Sequence, residues 1–164
     1  MQITIRKLTI HDLEDFKLIR LSALFNAPQM FGSTYEREVN QPLEFFSYSI
    51  ENHAVFAAYV GSKIVGLTVF SQNTGMKDKH KAQITSVFVL PEFRQQGIAK
   101  QILNEVLHYG KQHVEQILLS VVESNESAIE LYKKHGFQVY GIEPKAMKMN
   151  NQYDNNVLMA YFYH

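Results

Sequence analysis

Alternation opens the chain: in "QITIRKL", Ile3 and Ile5 stand between polar neighbours, the period-two pattern of a half-buried strand. From Thr9 the period lengthens. Leu13, Phe16, Ile19 and Leu24 fall near one helical face, and Thr9 with Asp12 supplies a start signal. Residues 26 to 42 carry prolines, Gly32 and polar side chains, which predicts a loop or broken helix; Leu43, Phe46 and Ile50 predict a second short helix. "AVFAAYV" and "KIVGLTVF" flank Gly61-Ser62, a tight-turn signal between two β-rich runs, and "AQITSVFVL" reads as a third long strand ending before Pro91. Ile98, Ile102, Leu103, Val106 and Leu107 form an apolar stripe of helical period.

"QILLSVV" is a short, nearly continuous apolar run, as expected of a strand covered on both faces. "NESAIELYKKHGF" predicts a helix ended by Gly136, with lysines and a histidine in its last turn to suit the dipole. "FQVYGI" is another strand, "NNQYDNN" a polar loop, and "VLMAYFY" a closing strand. The order β-α-α-β-β-β-α-β-α-β-β predicts an α/β (α+β) fold.

Composition narrows the functions. At 164 residues, with no repeat or interdomain linker, one domain over 1–164 is expected. Sixteen basic residues balance sixteen acidic ones, whereas a grip on nucleic acid or an anionic membrane needs a basic surplus, so neither partner is expected. The local basic run "KDKHK", Lys77 to Lys81, reads as a solvated hairpin tip. There is no cysteine, which removes disulfides, thiolate metal sites and cysteine nucleophiles together. No signal-peptide core or membrane-length apolar run appears, so a cytoplasmic protein is expected. The seven histidines lack metal-ligand spacing, so no metal is expected.

The chemistry concentrates in "PEFRQQGIAKQIL", where a strand, a loop with one glycine and a helix start follow one another. The first turn of a helix leaves backbone N–H groups unpaired and concentrates partial positive charge, so phosphate oxygens suit it. Gly97 has no Cβ to keep a diphosphate away, Ala99 is nearly as small, and Arg94, Gln95 and Gln96 add donors. The P-loop's Gly-Lys-Ser/Thr ending and the three glycines of the dinucleotide fingerprint are both missing.

About thirty residues further on stands "SNESAIELYKKHGF", Ser124 to Phe137. Together the two segments resemble motifs A and B of the GCN5-related N-acetyltransferase (GNAT) family. Arg94, Gly97 and Ala99 match the first motif; Asn125, Ala128 and Tyr132, then Gly136 and Phe137, match the second. The element order agrees from end to end.

The resemblance implies a mixed, mostly antiparallel central sheet of about seven strands with helices on both faces. It implies acetyl-CoA as acetyl donor, with its pyrophosphate on the segment Arg94, Gln95, Gln96, Gly97, Ile98, Ala99 and Lys100. It further implies that the backbone of Val87, Phe88 and Val89 meets the pantetheine arm in a gap between splayed strands, and that Asn125 and Ala128 lie close by. Tyr132 corresponds to the family's usual general acid at the thioester sulfur. A backbone N–H of residues 87–89 is the natural support for the carbonyl oxygen as it gains charge.

The family's glutamate base falls near Gln83 and its alternative acid at Ser120, so neither carboxylate is present; a water chain to Glu36, Glu38, Glu123 or His80 is one remaining route, and an amine with a lowered pKa that arrives already neutral is another. The resemblance implies that substrate choice comes from the segment "PQMFGSTYEREVNQPLEFF", where Phe31, Tyr35 and Glu36 suit a cationic or amphipathic amine, and from the hairpin before the last strand. The expected partner is an amine on a small molecule or a protein, and a homodimer stays open. Two functions result: an N-acetyltransferase working by direct transfer in a ternary complex, or a non-catalytic acyl-CoA-binding sensor or interaction module on the same fold.

Overall fold

The computed structural model describes residues 1–85 and 87–164. Strand β1 (Ile3–Lys7) leads through a 3-10 turn into helix α1 (Leu13–Asn26). Thr9 starts that turn as expected, its N–H donating to Asp12 Oδ2 at 2.8 Å. The segment predicted as loop or broken helix holds a 3-10 turn (Pro28–Met30) and the one-turn helix α2 (Tyr35–Glu38), and α3 (Leu43–Asn52) follows. Next come β2 (Ala54–Val60), β3 (Lys63–Gln72), β4 (Lys81–Ile84) and β5 (Phe88–Val89). The chain ends with α4 (Ile98–Lys111), β6 (Gln116–Val122), α5 (Glu126–Lys134), β7 (Gln138–Met149) and β8 (Gln152–Phe162).

The sheet has eight strands in the order β1-β2-β3-β4-β6-β8-β7, with β5 continuing the line of β4 along β3. β4 and β6 pair in parallel, and the other pairs are antiparallel. Helices cover both faces: Phe56 of β2 meets Tyr109 of α4 ring to ring, whereas the Tyr59 hydroxyl donates to Asp15 of α1 on the other side. The stripe expected on α4 is its buried face, with Ile98, Ile102, Leu103 and Val106 all within the core.

The sequence pattern misplaces two features. "AQITSVFVL" predicts one long strand, but the ladder to β3 breaks. Phe70 faces Ile84 and Leu67 faces Phe88, so β4 and β5 pair with β3 in registers that differ by one residue and are two separate strands. Gly66 permits the close approach on the far side: a Cβ there would lie 2.9 Å from the Phe88 carbonyl oxygen and 3.0 Å from Ile102.

The second feature is "NNQYDNN", expected as a loop. Only Asn150 and Asn151 turn, both with positive φ (51° and 63°), and Met149 pairs directly with Gln152. Two left-handed central residues make a type I′ hairpin turn, which asparagine tolerates well. The adjoining residues are polar because this end of the hairpin is exposed; Gln152 and Tyr153 both face water. Among the described residues no helix is long and apolar enough to cross a membrane.

Candidate active site

The parting of two strands opens the site. β4 pairs with β6 only from Lys81 to Gln83, opposite Gln116 to Leu118; beyond that point β6 stays with β8 while β5 stays with β3. The two strands part, and a cleft of about 500 Å³ lies along β5. Val87 N–H and Val89 C=O face away from β3 into this cleft. The first donates to the Tyr132 hydroxyl at 3.1 Å, and the second accepts from Arg94 Nε at 3.0 Å.

The loop after β5 takes its shape from backbone conformation. Gln95 (φ 62°) and Gly97 (φ 79°) both lie in the left-handed region, and the chain then enters α4 at Ile98. Gln101 N–H donates back to the Gly97 carbonyl at 3.1 Å, so the N–H groups of Ile98, Ala99 and Lys100 precede the first intrahelical bond. They stand at the positive end of a 14-residue helix. A Cβ on Gly97 would meet no protein atom within 4 Å, so the space over the loop is open. A diphosphate fits here by donor chemistry and by room.

Tyr132 is positioned by how α5 ends. Phe137 N–H donates to the Tyr132 carbonyl and Gly136 N–H to the Lys133 carbonyl, both at 3.0 Å, with Gly136 at φ 96°. This is a Schellman motif, with Phe137 packed edge-on against the Tyr132 ring at 5.7 Å. The ring is buried, 1% exposed, and forms part of the cleft wall. At the other end of α5, Asn125 caps the helix, its Oδ1 accepting from Ala128 N–H at 3.3 Å. Its Nδ2 lies 3.3 Å from Met30 Sδ, tying α5 to the loop after α1.

Most of the expected contact residues come together. Val87, Phe88 and Val89, then Arg94, Gln95, Gly97, Ile98, Ala99 and Lys100, and finally Asn125, Ala128 and Tyr132 all line the cleft. Gln96 does not; it is exposed, between the two left-handed residues. Phe31 lines this cleft and also a neighbouring cavity of about 320 Å³. Tyr35 and Glu36 line neither: Tyr35 packs edge-on against Phe25 at 5.4 Å, and Glu36 is exposed.

Sequence reasoning misses Met30, Phe93 and Leu131, which also form the wall. Leu131 could have been found, because it lies three residues after Ala128 on one helical face. Met30 and Phe93 carry no such local signal.

The neighbouring cavity holds Gln83 and Ser120, the two positions where a base was expected, together with Asn156. Among the described residues neither cavity has a carboxylate on its wall. Glu38 is buried elsewhere and gripped by Arg20, with Nε to Oε1 at 3.0 Å and a terminal nitrogen to Oε2 at 2.9 Å. Burial pushes that carboxyl up, but the hydrogen bonds from Arg20 and the charges of Arg20 and Arg37 outweigh it and hold it below its ordinary value. Glu123 accepts from Asn155 at 3.0 Å, and His80 borders a separate surface groove beside Lys79 and His113. Among the described residues no cluster of three or more His, Asp or Glu is placed to hold a metal ion.

A family model described as "Acetyltransferase (GNAT) family" matches residues 20–137. The chain belongs to the GNAT family. It is 31% identical over 140 residues to an uncharacterized N-acetyltransferase of Methanocaldococcus jannaschii, covering 82% of this chain and 60% of that protein. An N-alpha-acetyltransferase of Saccharolobus solfataricus is 30% identical over 139 residues, covering 82% of this chain and 80% of that one. A spermidine N(1)-acetyltransferase of Escherichia coli is 30% identical over 87 residues, 52% of this chain and 47% of that one. This GNAT chain therefore spans about half to three-fifths of the first and last of these relatives. Among solved structures, a GNAT-family acetyltransferase from Streptococcus pneumoniae shares the fold, with TM-score 0.84 over 99% of this chain and 100% of that chain at 18% identity.

Proposed function

We propose that this GNAT protein is an acetyl-CoA-dependent N-acetyltransferase that transfers the acetyl group directly to a primary amine, both substrates being bound together. One observation carries the reading. Tyr132 at Val87, Arg94 at Val89 and the open loop at Gly97 succeed one another along a single cleft. That sequence of groups suits a ligand with a reactive acyl end, an amide-bearing arm and a diphosphate. Acetyl-CoA supplies the thioester.

The chain's own groups do the rest. Backbone N–H groups of Ile98, Ala99 and Lys100, with the Arg94 guanidinium, hold the diphosphate. The outward edge of β5 binds the arm's amides as an added strand would be bound. In the transfer, the amine lone pair forms the new N–C bond and the C–S bond breaks with its electron pair left on sulfur. The Tyr132 hydroxyl gives its proton to that sulfur and regains one from solvent, and the amine nitrogen releases a proton to water. General acid assistance of this type contributes about 10²–10⁴-fold. With no cysteine in the chain, an acetyl-cysteine enzyme is not available.

The relatives differ by name in their acceptors, one an N-alpha amine and one spermidine, so the acceptor class supported at this level is an amine on a small molecule or a protein. The absence of a carboxylate among the described residues of either cavity wall favours a second reading, an acyl-CoA-binding module without catalysis. Thiol release from acetyl-CoA with a panel of amines, alongside calorimetry of acetyl-CoA binding, separates the two. Amine-stimulated release supports the transferase; tight binding with no release by any amine overturns it.

A further inference from the structure

The second cavity has a composition that selects its occupant. Met30 and Phe31 line both this cavity and the cleft, so the two adjoin at the loop after α1. Sheet register fixes its floor: Gln83 faces Leu118, Ser120 faces Leu158, and Val122 faces Asn156, which places these side chains in rows on one face of the sheet. The polar groups there are neutral amides and hydroxyls, among them Gln83, Thr85, Ser120, Tyr140 and Asn156, and among the described residues no carboxylate, lysine or arginine lines the space.

Asn156 stands out. It is 8% exposed, and its Oδ1 is buried with no hydrogen-bond partner among the described residues. Leaving a buried acceptor unsatisfied is costly, and such a group in a functional cavity marks where a donor belongs. A side-chain amide can present its oxygen to an N–H, but it cannot act as a base.

Those two facts bear on protonation. An amine must be neutral to attack. A carboxylate in the cavity would draw in an ammonium ion and help remove its proton, and none stands among the described residues of the wall. The site therefore suits an amine that is already substantially neutral at working pH. An α-amino group has a pKa of about 7.7–8.0 and a lysine side chain one of about 10.4. At pH 7.5 the neutral fraction of the first exceeds that of the second by a few hundred-fold.

We propose that the acceptor enters this second cavity, that Asn156 accepts a hydrogen bond from its attacking nitrogen, and that the site selects α-amino groups over lysine or polyamine ammonium groups. This rests on the transferase reading above and goes further by naming the acceptor's chemistry and a residue that recognises it.

The test uses the full chain with acetyl-CoA and follows thiol release from pH 6.5 to 9.5. The acceptors are a short peptide with a free N-terminus, the same peptide N-formylated but carrying one lysine, a free amino acid and spermidine. The free N-terminal peptide should show the highest kcat/KM at pH 7.5, by tenfold or more, and the free amino acid, whose own carboxylate keeps its amine more basic than a peptide N-terminus, should fall below it. The pH profile should rise with an apparent pKa near that of the acceptor amine. Asn156→Leu should raise the α-amino acceptor's KM by about tenfold while leaving acetyl-CoA affinity within twofold. Asn156→Asp should move preference toward the lysine peptide and spermidine. A wild-type preference for lysine or spermidine overturns the proposal, and so does an unchanged acceptor KM in Asn156→Leu. The wild-type comparison needs no variant to fold. If no acceptor of any class stimulates release, the transferase reading fails first, a result distinct from release with the wrong preference.

Discussion

The hydroxyl of Tyr132 accepts a hydrogen bond from the backbone N–H of Val87 at 3.1 Å, across 45 positions of sequence. The contact joins the C-terminal turn of α5 to the residue just before β5. It places a phenol where β5 offers its first outward group to the cleft. If that phenol protonates the departing sulfur, Tyr132→Phe removes the proton donor and keeps the ring. We expect kcat to fall about 10²-fold or more while acetyl-CoA affinity by calorimetry stays within about threefold. Wild-type turnover in the variant would remove Tyr132 from the chemistry.

A second expectation concerns how that phenol is held. Gly136, at φ 96°, closes the Schellman motif, and a Cβ there would come within 3.1 Å of Tyr161. Gly136→Ala should cost about 1–2 kcal/mol, since an L-residue is strained in the left-handed region. For a chain of this size that lowers Tm by about 2–8 °C. Turnover should fall alongside, because the carbonyl at the 6→1 bond belongs to Tyr132 itself. A melting curve and a kcat measurement on the same sample check both, and a destabilised variant with unchanged kcat would mean that the cap does not position Tyr132.

The loop makes a prediction of a different kind. Gly97→Val forces a β-branched residue into φ 79° and sets methyl groups over the open space. Acetyl-CoA should bind tenfold or more weakly by calorimetry. Acetyl-pantetheine, which lacks the diphosphate, should keep its KM within about twofold. An equal loss for both donors would show that the loop acts on the whole cleft and not on the phosphates.

How much of the site is legible in the chain depends on how local each determinant is. Arg94, Gly97 and Ala99, and likewise Asn125, Ala128 and Tyr132, lie within short stretches of chain, where residue type and backbone conformation are tied together, and all six line the cleft. The change of register between Ile84 and Phe88 is set by pairing with another strand, β3, so "AQITSVFVL" looks like uninterrupted strand when read by period alone. Asn156 is more remote still: it lies in a polar run that reads as loop, and only pairing of β8 with β6 brings it beside Ser120. Gln96 shows the converse error. Its type fits the phosphate contact expected from the sequence, yet it stands outside the cleft wall, between the left-handed Gln95 and Gly97.

The two cavities share a wall at Met30 and Phe31. Phe31 lies under the Arg20 guanidinium, 5.7 Å from ring centroid to carbon, and Arg20 is fixed by its two bonds to buried Glu38. Breaking the pair from the cationic side leaves a carboxylate buried without its partner, so Arg20→Met should cost about 3 kcal/mol, read as a loss of unfolding free energy in denaturant. The sign of the pH dependence comes from Glu38. Its carboxyl is held below the ordinary value in the folded protein, so its contribution is fully present above a pH of about 4.5 and fades as acid titrates the folded carboxylate. Glu38→Gln should therefore be less stable than wild type at pH 6, with the gap narrowing as pH falls below about 4.5. Because Phe31 also faces the second cavity, Arg20→Met should raise acceptor KM at least threefold with a smaller effect on acetyl-CoA affinity. A stability loss without that kinetic change would confine the Arg20–Glu38 pair to holding the fold.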